Sequence, residues 1–168
     1  LDTLYTRTNV YRVTVDAADA RRVKPDRRRP RRGAVPEPSY RETLRVERDR
    51  VYSVVAPNGD PWYDTLLSAR SSPADIEYPF ATEGRLAGPV ELTVSLWGMT
   101  SSPRFPDHHV VVEVNGLEGA DEWFDGRVDH PVSFAVDESV LVEGEGENTL
   151  RVVLAGDVGI RDLVAIDG

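Results

Sequence analysis

The sequence predicts an all-β fold, a two-sheet antiparallel β-sandwich, and three observations carry that prediction. Several short runs alternate apolar and polar residues with the period of two that a half-buried strand requires. The runs recur at roughly ten-residue spacing between turns rich in glycine, asparagine and proline, as the strands of packed antiparallel sheets do. No helical pattern longer than about two turns interrupts them.

Taken in order, Thr8–Val15 (TNVYRVTV) places Val10, Tyr11, Val13 and Val15 among polar residues and reads as a strand. Residues 21–38 break the pattern: RRVKPDRRRPRRGAVPEP holds four prolines and eight basic residues and offers almost nothing to bury. It reads as a flexible Arg/Pro-rich insertion. From Tyr40, YRETLRVERDRVYSVVA sets Leu44 and Val46 on one face and continues from Val51 to Ala56 past a turn near Asp49, so two strands or one bent strand fit. Pro57-Asn58-Gly59-Asp60 is turn chemistry, and Trp62, Tyr63, Leu66 and Leu67 follow in a short helical or looped piece, before a strand ending at Phe80. The clearest strand is VELTVSLWG, with Val90, Leu92, Val94 and Leu96 on one face and Glu91, Thr93, Ser95 and Trp97 on the other.

From His108 onward the alternation is dense. A strand ends at Val114-Asn115-Gly116, a segment centred on Trp123 follows, and Val132, Phe134 and Val136 mark another strand. A short helical turn is expected at Ser139-Val140-Leu141, and strands at Leu150–Leu154 and Leu163–Ile166 close the chain.

One β-sandwich domain over residues 1–168 is the expectation, because a chain of 168 residues buries enough surface to fold without staples. The absence of cysteine removes a disulfide framework, a cysteine-ligated zinc and a cysteine nucleophile from these residues. Charge is uneven: residues 1–50 hold 14 basic and 8 acidic side chains, whereas residues 51–168 hold 6 and 21. Lys24 is the single lysine. An acid-rich, lysine-poor surface suits concentrated salt, which screens the self-repulsion, so a halophilic or GC-rich source is expected. No apolar run approaches the roughly 20 residues of a membrane-spanning helix. The chain begins at Leu1 and reads as a piece of a longer protein.

Candidate site residues are few. His108 and His109 are neighbours on a strand, so their side chains point to opposite faces and do not share a ligand. With three histidines and no cysteine, zinc is disfavoured, and His109 is expected to meet Glu113 along its face. Paired acids such as Asp121 with Asp125, or Asp60 with Asp64, arise by chance among 29 acidic residues, so they do not single out a glycosidase. Asp60 and Asp64 sit in an oxygen-rich turn and are the candidate ligands of a structural calcium ion. Trp62, Tyr63, Trp97, Trp123 and Phe124 either seal the core or stack on a sugar ring, and Trp97, on the polar phase of its strand, is expected to project outward. The arginine cluster suits phosphate, but the acidic body and the lack of interleaved aromatics argue against nucleic acid.

The order YTRTNVYRVTV, SYRETLRVERDRVY, GDPWYDTLL, VELTVSLWG, DHHVVVEVNG, the W-x-D-G segment at Trp123–Gly126 and VEGEGENTLRVVLAG resembles the β-sandwich region preceding the catalytic domain of gingipain-type cysteine peptidases. The strand ending in Asn-Gly and the Gly-Glu-Asn-Thr-Leu turn are also similar to galactose-binding-like jelly rolls of secreted hydrolases. The resemblance implies a jelly roll, like a carbohydrate-binding module, with no catalytic residue of its own, since the family's His and Cys pair belongs to another domain. It implies an extracellular or cell-surface setting and the peptidase domain of the same chain as partner. The alternative is a carbohydrate-binding module using exposed aromatics, with Trp97, Trp123, Trp62 and Tyr63 as its contacts.

Overall fold

The structure, a computed structural model, describes residues 33, 35, 38–54, 61–88, 90–103, 105–144 and 147–167. The strand expected at Thr8–Val15 and the arginine cluster at residues 21–32 lie outside the described residues. The chain divides into two units, Leu1–Leu44 and Arg45–Gly168, and every element below belongs to the second.

Among the described residues, ten strands follow in chain order: β1 (Val51–Tyr52), β2 (Trp62–Tyr63), β3 (Thr65–Ala69), β4 (Ala74–Phe80), β5 (Val90–Gly98), β6 (His108–Val114), β7 (Leu117–Phe124), β8 (Asp129–Val136), β9 (Asn148–Leu154) and β10 (Asp162–Ile166). The expected helical turn is a single 3₁₀ turn, Glu138–Val140, capped by the Asp137 carboxylate on the Ser139 N–H.

Two four-stranded sheets run in the orders β3-β10-β5-β8 and β4-β9-β6-β7, and all pairs are antiparallel. The pairings β3 with β10, β4 with β9, β5 with β8 and β6 with β7 describe one long hairpin rolled on itself, and from β3 onward the chain changes sheet at every connection except β6 to β7; β1 and β2 pair as a separate two-stranded sheet. That is jelly-roll connectivity.

Period-two burial fills the space between the sheets. Val110, Val112, Val152, Leu154 and Val164 are wholly inaccessible, and they share one core with Leu67, Tyr78, Val94, Leu96, Phe124, Val132 and Ile166 from both sheets. A smaller cluster of Val114, Val136 and Leu141 closes one end. The β6–β7 hairpin turns at Asn115-Gly116, both at positive φ (50° and 79°), the geometry that lets a two-residue loop match strand twist.

Three expectations need correction. The segment 38–50 forms no strand despite its alternating pattern: it is exposed almost throughout, and no described strand pairs with it. Trp62–Leu67 is not a helical or looped piece but β2 and the start of β3, because β1 and β10 supply their hydrogen-bonding partners. Trp97 does lie on the outer phase of β5, yet it is 5% exposed: Tyr63 and Ala165 pack with it, and Val51 and Met99 cover its flanks.

Candidate functional site

The chemistry-bearing side chains gather where β6 begins. Period two sends His108 inward and His109 outward from the same stretch of backbone. His108 is not the surface histidine that its strand suggests, since it has no exposed area. Its Nδ1 lies 2.5 Å from Asp162 Oδ1, and its Nε2 lies 3.1 Å from the Gly126 carbonyl oxygen. A carboxylate and a carbonyl only accept, so both ring nitrogens must donate and the ring is held as imidazolium. Burial opposes that charge; the hydrogen bond and charge of Asp162, with the Gly126 and Thr100 carbonyls, outweigh it and raise the pKa above the usual histidine value.

The surroundings are built for this pair. Asp162, also without exposed area, accepts the His109 N–H on its second oxygen at 3.3 Å. Asp107 Oδ2 accepts the N–H groups of Ser102 (3.0 Å) and Gly126 (3.2 Å), which fixes the turn that aims the Gly126 carbonyl. Phe124 stacks between two imidazoles, His108 at 4.5 Å and His130 at 4.1 Å between ring centroids. Gly98 passes so close that a Cβ there would meet His108 Nε2 at 2.7 Å and also collide with the Gly126 carbonyl oxygen.

On the outer face, His109 meets Asp121 and Asp157 rather than Glu113. Asp157 faces Nδ1 at 2.9 Å and Asp121 faces Nε2 at 3.0 Å. Glu113 instead accepts from Arg151, which also holds Asp75. Trp123, opposite His109 in register, lies flat on the imidazole with centroids 3.7 Å apart and planes at 15°. It remains 49% exposed.

The other candidates lie elsewhere. Trp62 meets Tyr52 edge to face at 5.1 Å, and Tyr63 is buried with Trp97. Asp60 lies outside the described residues. Asp64 is buried, with Arg50 Nε 3.4 Å from its Oδ1. Burial and the neighbouring Asp64 carboxylate raise the Tyr78 phenol well above its ordinary range, against the lowering pull of Arg48 and Arg50. Among the described residues, no group of three or more His, Asp or Glu side chains is placed to hold a metal ion.

Sequence reasoning missed Asp157 and Asp162, which lie 48 and 54 residues from the histidines they hold, a separation no local motif spans. The register between β6 and β7, which sets Trp123 against His109, had a weak signal in the hairpin turn at Asn115-Gly116.

No family model and no curated protein matches the chain. Among solved structures it is similar to dimeric latent PorU from Porphyromonas gingivalis, at 12% identity and a TM-score of 0.37, over 62% of this chain and 12% of that chain. The chain thus spans a small part of PorU's length.

Proposed function

We propose that this chain is a non-catalytic accessory β-sandwich domain of a larger secreted gingipain-like cysteine peptidase, one that packs on the peptidase domain or regulates it. The single observation that carries the reading is how the reactive groups are spent. His108, the side chain best suited to acid–base work, is sealed from solvent with both nitrogens engaged by Asp162 and Gly126. A general base must reach a substrate proton, and a ring without accessible area does not. His109, nearer the surface, is held between two carboxylates. The sequence resemblance supplies the peptidase context.

Two measurements test this. The purified chain should turn over neither peptide nor glycoside substrates, and turnover abolished by substitution at His109 or Asp121 would overturn the reading. In the parent polypeptide, deleting the peptidase domain should raise amide exchange on one face of the sandwich. Unchanged exchange across both sheets would remove the docking role.

A further inference from the structure

We propose that Trp123, with Asp121 and Asp157, forms a binding subsite for a neutral pyranose, a function that goes beyond the accessory role and does not depend on it. Trp123 lies on β7, at the edge of its sheet, and 49% of the residue is exposed. One face of the indole rests on the His109 ring, 3.7 Å away and nearly parallel, so the exposed area belongs to the opposite face and the ring edges. The support is rigid. His109 is fixed by Asp157 on one nitrogen and Asp121 on the other, which sets the tilt of the imidazole and of the indole upon it. A ligand stacking there orders little that is not already ordered, which lowers the entropic cost of binding.

The composition of the subsite selects the ligand. An open aromatic face flanked by acceptors matches a pyranose, which presents an apolar C–H face ringed by hydroxyl donors. The Asp121 and Asp157 side chains are 45% and 51% exposed, and each carboxylate has acceptor sites beyond those given to His109. A protein hot spot is a poorer match: such an anchor sits amid apolar surface that excludes water, whereas Trp123 is flanked by the partly exposed Asp121 and Asp157 carboxylates that hold His109 beneath it. A cation is the competing occupant, because the exposed Asp121 and Asp157 carboxylates would attract one as well. The surrounding carboxylates repel uronic and sialic acids. The subsite therefore favours neutral sugars over acidic ones.

The test is titration of the full chain with neutral gluco-, galacto- and manno-configured disaccharides, followed through the backbone amide resonances of β6 and β7, with the Trp123 indole N–H as a further reporter wherever that residue is kept. Saturable shifts at millimolar sugar are expected, with affinity falling about tenfold in Trp123→Ala, the scale of one aromatic stacking contact. Asp121→Asn, which keeps the indole in place of a truncated ring, should weaken binding several-fold while the core resonances stay unchanged. Glucuronic acid should bind at least about tenfold more weakly than glucose. No saturable shift with any of the neutral sugars, equal affinity in Trp123→Ala, or preference for glucuronic acid or for methylguanidinium would each overturn the proposal.

Discussion

At the scale of single residues, the wholly buried His108–Asp162 pair is sensitive to the loss of either partner. Breaking a buried ion pair from one side leaves a charge without its partner, so Asp162→Asn should lose about 3–5 kcal/mol in urea denaturation. The same pair sets a pH dependence. The folded-state pKa of His108 is raised above its unfolded value near 6.5. Its contribution is therefore fully present below about pH 6.5 and is lost as pH rises through the folded value. Thermal melts from pH 6 upward should show the midpoint of the native chain falling, and the His108→Gln variant should lack that part of the slope. Gly98 protects the pair by close approach, so Gly98→Ala must move either the Gly126 turn or the imidazole. A changed His108 ring resonance in that variant would register the displacement. Alternation in HHVVVEV put His108 and His109 on opposite faces without showing that His108 is buried, and its partner was not legible, because nothing local marks an aspartate 54 residues away.

At the scale of elements, the rolled hairpin depends on a polar node where β9 starts. Asn148 is inaccessible; its side-chain oxygen accepts from Val142 N–H (2.8 Å) and from Asn115 (2.9 Å), while its amide donates to the Val142 carbonyl (2.6 Å). The Asn115 side chain returns to the Thr149 N–H at 2.9 Å, so the β6–β7 turn is tied to β9. Asn148→Ala removes these partners at once and should cost about 1–3 kcal/mol per buried group left unsatisfied, read as a lower denaturant midpoint. Leu154→Ala, at a position with no exposed area in the shared core, should cost about 2–5 kcal/mol by cavity formation. Alternation identified β5, β6, β8 and β9 because each buries one face, and burial is what alternation encodes. It failed in both directions elsewhere. Leu44 and Val46 alternate with charged residues but find no strand to pair with, whereas Trp62–Leu67 shows little period and becomes strand through β1 and β10. A strand is a property of two segments, and only one of them is read at a time in a sequence.

At the scale of the whole molecule, charge dominates. The net charge is −9, and residues 51–168 carry 21 acidic against 6 basic side chains, several of them on the outer face of the β4-β9-β6-β7 sheet. Screening over about 10 Å at 0.1 M salt weakens such repulsion, so the melting temperature should rise from low to molar salt. Equal melting temperatures at both would argue against a salt-adapted surface. The sequence by itself determined the all-β class, most of the inward valine and leucine rows and the charge imbalance, since each follows from residue type and a period of two. Tertiary structure alone decided the rolled pairing of distant strands, the burial of Trp97 under Tyr63, and the meeting of His109, Trp123, Asp121 and Asp157. Those contacts depend on which strands lie side by side and in what register, and that is settled by the collective filling of one core rather than by any local segment.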